Sequence, residues 1–201
     1  MNILPPSFYQ RPDVLQISRE LLGKYLFTDI EGSVAGGMIV ETEAYAHQGD
    51  LAIQSHLKRR NVKKETMFRA GGIAYVYRVY RIHSLFNIVT NVQGKPDAVL
   101  VRAIEPILNV EAMQQRRGLD GIGPRLTAGP GMLTQALGIT PAHSEAPITT
   151  GESIWIEDRG ERVEESAILA SPRVGIQYAG EDALLPWRFR IRDNEWTSKA
   201  K

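Results

Sequence analysis

The 201-residue chain predicts an α+β fold, a mixed and largely antiparallel sheet with helices packed on it. Two observations lead there. Strand-like segments recur with turn signals at Glu31-Gly32-Ser33, Gly71-Gly72 and Gly94-Lys95-Pro96, as in sheets built from hairpins. Helical segments are too few, and too unevenly spread between the strands, for a doubly wound parallel sheet. The length suits one domain with a substantial core and is barely enough for two.

The elements follow in chain order. Val14, Leu15, Ile17, Leu21 and Leu22 fall near one face at helical spacing, which predicts a helix over 13–22. Pro12 suits its start and Gly23 its stop. Strands are predicted over 25–30 and 34–45. Residues 46–70 are polar and poorly patterned, so they read as a long loop with room for a short helix. A loop of that length in a compact domain usually serves function. Residues 73–80, 84–89 and 98–103 read as strands. Helices are predicted over 106–117, stopped by Gly118, and over 130–137, between Gly129 and Gly138. Later strand candidates are 153–157, 166–170 and 187–192.

Composition narrows the function classes. Hydrophobic residues make up 43% and charged residues 23%, an ordinary soluble profile. Without a run of 18 or more apolar residues no membrane span is expected, and Pro5, Pro6, Gln10 and Asp13 break any secretory h-region. With no cysteine there is no disulfide framework, cysteine nucleophile or thiolate metal site, and a cytoplasmic protein is the default. The net charge of +1 points only weakly to nucleic acid. The distribution says more: Lys58, Arg59, Arg60, Lys63 and Lys64 put five cations in seven residues. Such a run can hold phosphates without reading sequence, although a solvated face is the commoner role.

Two segments flank that run. In Val40-Glu41-Thr42-Glu43-Ala44-Tyr45 the strand period puts Glu41, Glu43 and Tyr45 on one face. Paired carboxylates suit general-base and electrostatic work, as in sugar-bond cleavage. On spacing alone, an exposed acidic strand face weighs as much, and a metal site little. In Ala74-Tyr75-Val76-Tyr77-Arg78-Val79-Tyr80, Tyr75 and Tyr77 share a face and Tyr80 lies at a probable turn. A protruding Tyr80 could wedge between base pairs, and Tyr77 could stack on a base. Packing is the usual role of strand tyrosines. His56, a loop histidine by this reading, is a candidate donor to phosphate or base. Gly129-Pro130-Gly131 before a helix is a weak phosphate signal.

These residues add up to a resemblance. Together with Leu21-Leu22-Gly23-Lys24, Ser55-His56, Met67-Phe68, Val99-Leu100-Val101-Arg102-Ala103-Ile104-Glu105-Pro106, the run Leu126 to Ile139, and Pro186-Trp187-Arg188-Phe189, they resemble the 3-methyladenine DNA glycosylase family of the alkyladenine type. The Glu-Thr-Glu-Ala-Tyr and Tyr-Val-Tyr segments together are specific to it.

The resemblance covers most of the chain and implies one domain over 1–201, an α+β fold on a curved, open-barrel-like antiparallel sheet. It implies a monofunctional enzyme without metal or cofactor, acting as a monomer on duplex DNA that contains damaged purines. By motif position Glu43 is the base that activates water and Arg102 positions it. Tyr45, His56, Tyr77 and Asn87 line the pocket for a flipped base, and Tyr80 enters the minor groove. Lys58, Arg59, Arg60, Lys63, Lys64 and Arg81 are expected at the DNA backbone.

The chain departs from the family in two places. Arg81 stands where the family has glycine, and Asn61 where it commonly has threonine. Two other functions remain in view: a non-catalytic binder of structured nucleic acid, and a hydrolase of small nucleosides. A retained Glu43 argues against the first, and a wedge tyrosine with a cationic loop against the second.

Overall fold

The structure, a computed structural model, describes residues 1–60 and 63–199. Asn61, one of the two departures, lies outside them. The chain opens with a four-residue helix α1 (Pro6–Tyr9), which has no periodic signal, and then α2 (Val14–Glu20). The Asp13 side chain caps α2 by accepting from the Gln16 amide at 2.9 Å. The strands are β1 (Tyr25–Ile30), β2 (Ser33–Tyr45), β3 (Ile73–Val79), β4 (His83–Thr90), β5 (Asp97–Leu108), β6 (Ile154–Glu157), β7 (Ile168–Ser171) and β8 (Arg188–Ile191). The remaining helices are α3 (Leu51–Leu57), α4 (Val110–Arg117) and α5 (Pro130–Leu137).

All strand pairs are antiparallel, in the order β3-β4-β5-β2-β1-β6, with β8 also on β2 and β7 on β8. The sheet is open. The expected fold class is therefore the observed one.

The long strand β2 organises the site. Its first half pairs with β1, while Glu41, Thr42 and Glu43 pair with β8 on that same side. Its other side runs along β5, with register shifts between Ile39 and Glu41 and between Glu41 and Thr42. Such irregularities re-aim side chains, and these fall where β2 exchanges β1 for β8. The two carboxylates sit at that exchange.

Two expectations need correction. The helix predicted over 106–117 begins only at Val110, because Pro106 to Leu108 continue β5 against Gly37 and Gly36. Proline suggested a helix start, but the long partner strand prolongs β5. A Cβ on Gly37 would lie 2.2 Å from the Glu105 carbonyl oxygen, so glycine permits this close pairing. Within 46–70 the chain forms α3 and a 3₁₀ segment (Lys64–Phe68). His56 is therefore a helical and buried residue, not a loop one.

The sheet buries both faces, unequally. Alternate residues Ala44, Ala74, Val76, Phe86, Val99 and Val101 join the main core with Ile17 of α2, Leu21 at its C-cap, and Leu133 and Leu137 of α5. Their sequence neighbours face the other way, where Ile53, Met67, Tyr75, Val89 and Ala98 form a smaller cluster against Tyr45 and Tyr77. The cleft described below opens on this second face. Among the described residues no helix is long and apolar enough to cross a membrane.

The β3–β4 connection keeps a glycine-like geometry without glycine. Tyr80 has φ +50° and Arg81 φ +62°, and the Ile82 amide closes the turn on the Val79 carbonyl at 3.2 Å. Consecutive left-handed residues suit the twist of a hairpin. An L-residue other than Gly, Asn or Asp is strained there by about 1–2 kcal/mol.

Candidate active site

Strands β2 to β5, α3 and the segment 174–178 enclose a cleft of about 590 Å³. Tyr45, His56, Tyr77, Asn87 and Arg102 all line it, as does Tyr75. The strand residues converge because β2, β3, β4 and β5 are neighbours and each turns alternate side chains to the same face, and α3 brings His56 to that face.

Glu41 and Glu43 are both fully buried, so the reading as an exposed acidic face is overturned. Each is held by several donors. Arg102 donates from Nε to Glu41 Oε1 at 2.7 Å and lies with Nη1 3.1 Å from Glu43 Oε1. Glu43 accepts from the Val174 amide at 2.8 Å and from the Tyr45 hydroxyl at 2.8 Å. Glu41 accepts from the Ser198 amide at 2.6 Å and hydroxyl at 2.8 Å, with Arg188 Nη1 3.6 Å away. Burial opposes the charge on Arg102, but Glu43 and Glu41 outweigh it and raise its pKa. Arg102 is thus a fixed cation that ties the two acids together. Glu43 does not itself line the cleft, but its partners Tyr45, Val174 and Arg102 all do, whereas Glu41 shares only Arg102 with the lining. Glu41 is enclosed from behind by the C-terminal segment.

The aromatic wall is electrically neutral. His56 Nε2 lies 2.7 Å from the Tyr75 hydroxyl, and its ring is 4.6 Å from that of Tyr77, centre to centre. Burial, with help from Arg59, lowers the His56 pKa to about 4. Burial pushes Tyr77 up to about 12 and raises Tyr75 as well. Tyr45 is raised by burial and by the charge of Glu43. Around neutral pH these groups are hydrogen-bonding, uncharged surfaces. Tyr75, read from sequence as packing, does pack against the sheet, and its hydroxyl also orients His56. Asn87 Nδ2 donates to the Tyr75 carbonyl at 3.3 Å, which fixes its amide at the wall.

Tyr80 stands at the rim, 87% exposed. Lys58, Arg59, Arg60, Lys63, Arg78 and Arg81 are exposed, and Lys64 is half-buried. Of the basic run, Arg59 alone among the described residues reaches the cleft, with its guanidinium carbon 5.6 Å from the centre of the Tyr178 ring.

Sequence reasoning missed Arg173, Val174, Tyr178 and Ser198. Arg173 is buried, forks onto Asp50 at 2.6 and 2.9 Å, and lies 4.7 Å from the Tyr45 ring and 5.0 Å from the Trp187 ring. No local periodicity marks these positions. The backbone amide of Val174 leaves no trace in side-chain patterns at all.

Chemically, a carboxylate fixed by three donors beside a cleft with flat neutral walls can accept a proton from water next to a planar, electron-poor ring. The profile of the family described as Methylpurine-DNA glycosylase (MPG) matches residues 7–195. A Chlamydia felis protein is 42% identical over 190 residues, 94% of this chain and 96% of its own. One from Myxococcus xanthus is 42% identical over 200 residues, 99% and 95% of the two chains. One from Bacillus licheniformis is 41% identical over 197 residues, 98% and 96%. Each of the three is named "Putative 3-methyladenine DNA glycosylase".

Proposed function

The chain belongs to the methylpurine-DNA glycosylase family, whose profile spans residues 7–195, and on that premise we propose that it excises alkylated purines from duplex DNA by a Glu43-activated water. The observation that carries this reading is the seat of Glu43, buried between Arg102, the Val174 amide and the Tyr45 hydroxyl at the edge of the cleft.

In this reading the damaged nucleotide swings out of the duplex, and Tyr80 fills the space it leaves. Extrusion costs a few kcal/mol and least for damaged bases. The base enters between Tyr45, His56 and Tyr77, whose electron-rich faces attract a cationic alkylpurine. Asn87 at the wall penalises the exocyclic amino group of guanine. Water attacks C1′ of the sugar and its proton passes to Glu43. The C1′–N bond breaks and its electron pair goes to the purine, which leaves neutral. An abasic site remains. The described cleft lining includes arginines and no lysine, which supports attack by water over attack by an amine, and hence a monofunctional enzyme. Lys58, Arg59, Arg60, Lys63, Lys64 and Arg81 hold phosphates without reading sequence. We take the protein to work as a cytoplasmic monomer, without metal or cofactor.

The test is release of 3-methyladenine from methylated duplex DNA. The native chain should yield free base and an abasic site without a strand break. Glu43→Gln should bind the duplex and lose roughly 10²–10⁴-fold in rate, the usual share of a general base. Equal release by both proteins refutes the role of Glu43. Binding without release by either favours a non-catalytic binder.

A further inference from the structure

Outside the proposed catalytic group, the chain buries a second ion pair, Asp50 with Arg173, both side chains fully out of solvent. Buried pairs are poor stabilisers, because desolvation offsets most of their attraction. This one even leaves Arg173 Nε without a partner among the described residues. Its connections are more telling. Arg173 donates to the Ala44 carbonyl at 3.0 Å, between Glu43 and Tyr45 on β2, and to the Asp182 carbonyl at 3.2 Å. Its guanidinium lies against the rings of Tyr45 and Trp187. The next residue, Val174, gives its amide to Glu43. Asp50 meanwhile caps α3, accepting from the Ala52 amide at 2.9 Å, and α3 presents His56.

We propose that the Asp50–Arg173 pair is a positioning device, which sets the Val174 amide and the Tyr45 hydroxyl on the two oxygens of Glu43. The proposal rests on Glu43 being the base. Neither Asp50 nor Arg173 touches the reacting atoms. The planar fork of Arg173 fixes the start of the 174–178 wall relative to β2, and the stacked ring of Tyr45 fixes the direction of its hydroxyl. Lysine has neither the fork nor the planar stack, so charge alone should not suffice.

The experiment compares the native chain, Asp50→Asn, Arg173→Lys and Glu43→Gln. It measures single-turnover release of 3-methyladenine at saturating enzyme, and affinity for a duplex with an abasic-site analogue. Both pair variants should release base about 10- to 100-fold more slowly, the cost of sub-ångström to ångström misplacement. Duplex affinity should stay within about twofold, the part of the split a general loss of structure would not spare. Asp50→Asn is nearly isosteric, and a cooperative thermal transition for each variant verifies folding. Native rates in either pair variant, or parallel losses of rate and affinity, overturn the positioning role while leaving Glu43 as base. If Asp50→Asn fails to fold, Arg173→Lys decides, and if neither folds the pair is a stability element and the proposal falls. A native chain that releases no base overturns the catalytic reading, and the positioning role with it.

Discussion

Arg81→Gly should make the protein more stable and its grip on DNA weaker. The arginine sits at φ +62°, next to Tyr80 at +50°. The strain of an ordinary side chain in this region is about 1–2 kcal/mol. Glycine removes it but adds freedom to the unfolded chain, which costs about 0.4–1 kcal/mol. At the middle of these ranges the net gain is about 0.8 kcal/mol. For a chain of this size that raises the melting temperature by about 1–4 °C. If Arg81 neutralises one phosphate beside Tyr80, its loss reduces the log-log salt slope of binding by about 0.9. Between 50 and 200 mM salt the native chain would then lose about 3.5-fold more affinity than the variant. Calorimetry and salt-dependent titration of an abasic-analogue duplex measure both effects. Arg81→Ala separates them, since it removes the charge and keeps the strain. An Arg81→Gly protein that melts lower refutes the strain argument, and an unchanged salt slope refutes the phosphate contact.

Two more outcomes follow from the buried groups. Ser198→Ala removes one of the donors to buried Glu41 and should cost about 1–3 kcal/mol of stability, read by denaturant unfolding; no loss would show that the C-terminal hydroxyl is dispensable. His56 has its pKa lowered from 6.5 to about 4 by burial and Arg59. Between those values the unfolded chain binds the proton more readily, so His56 contributes full stability above pH 6.5 and loses it as pH falls toward 4, by at most about 3 kcal/mol. Unfolding free energies measured across that window should flatten in His56→Gln, and an unaltered slope would refute the assignment.

How much was legible depended on the range of the interaction. Alternation along β2 and β3 puts Glu41, Glu43 and Tyr45, and Tyr75 with Tyr77, on shared faces from the sequence alone, because strand geometry imposes a period of two. The hairpin tip at Tyr80 was legible for the same reason. The place of the short helix allowed within 46–70, and His56 on it, was not, since seven residues give too little periodicity and its buried face is only Ala52, Ile53 and His56. The start of α4 was misread because Pro106 obeys its partner strand before its own local preference.

The sequence by itself determined the fold class, the strand faces and the family, all consequences of residue order over a few positions or of whole motifs. Motif position already names Glu43 over Glu41, and only the tertiary structure shows what holds each acid. Both carboxylates bind Arg102, but Ser198, 157 residues away, closes over Glu41, while Val174, 131 residues from Glu43, caps the acid beside the cleft. Arg173 finds Asp50 across 123 residues. Burial strengthens these contacts by excluding water, and burial is a property of the packed chain, so no local pattern announces it.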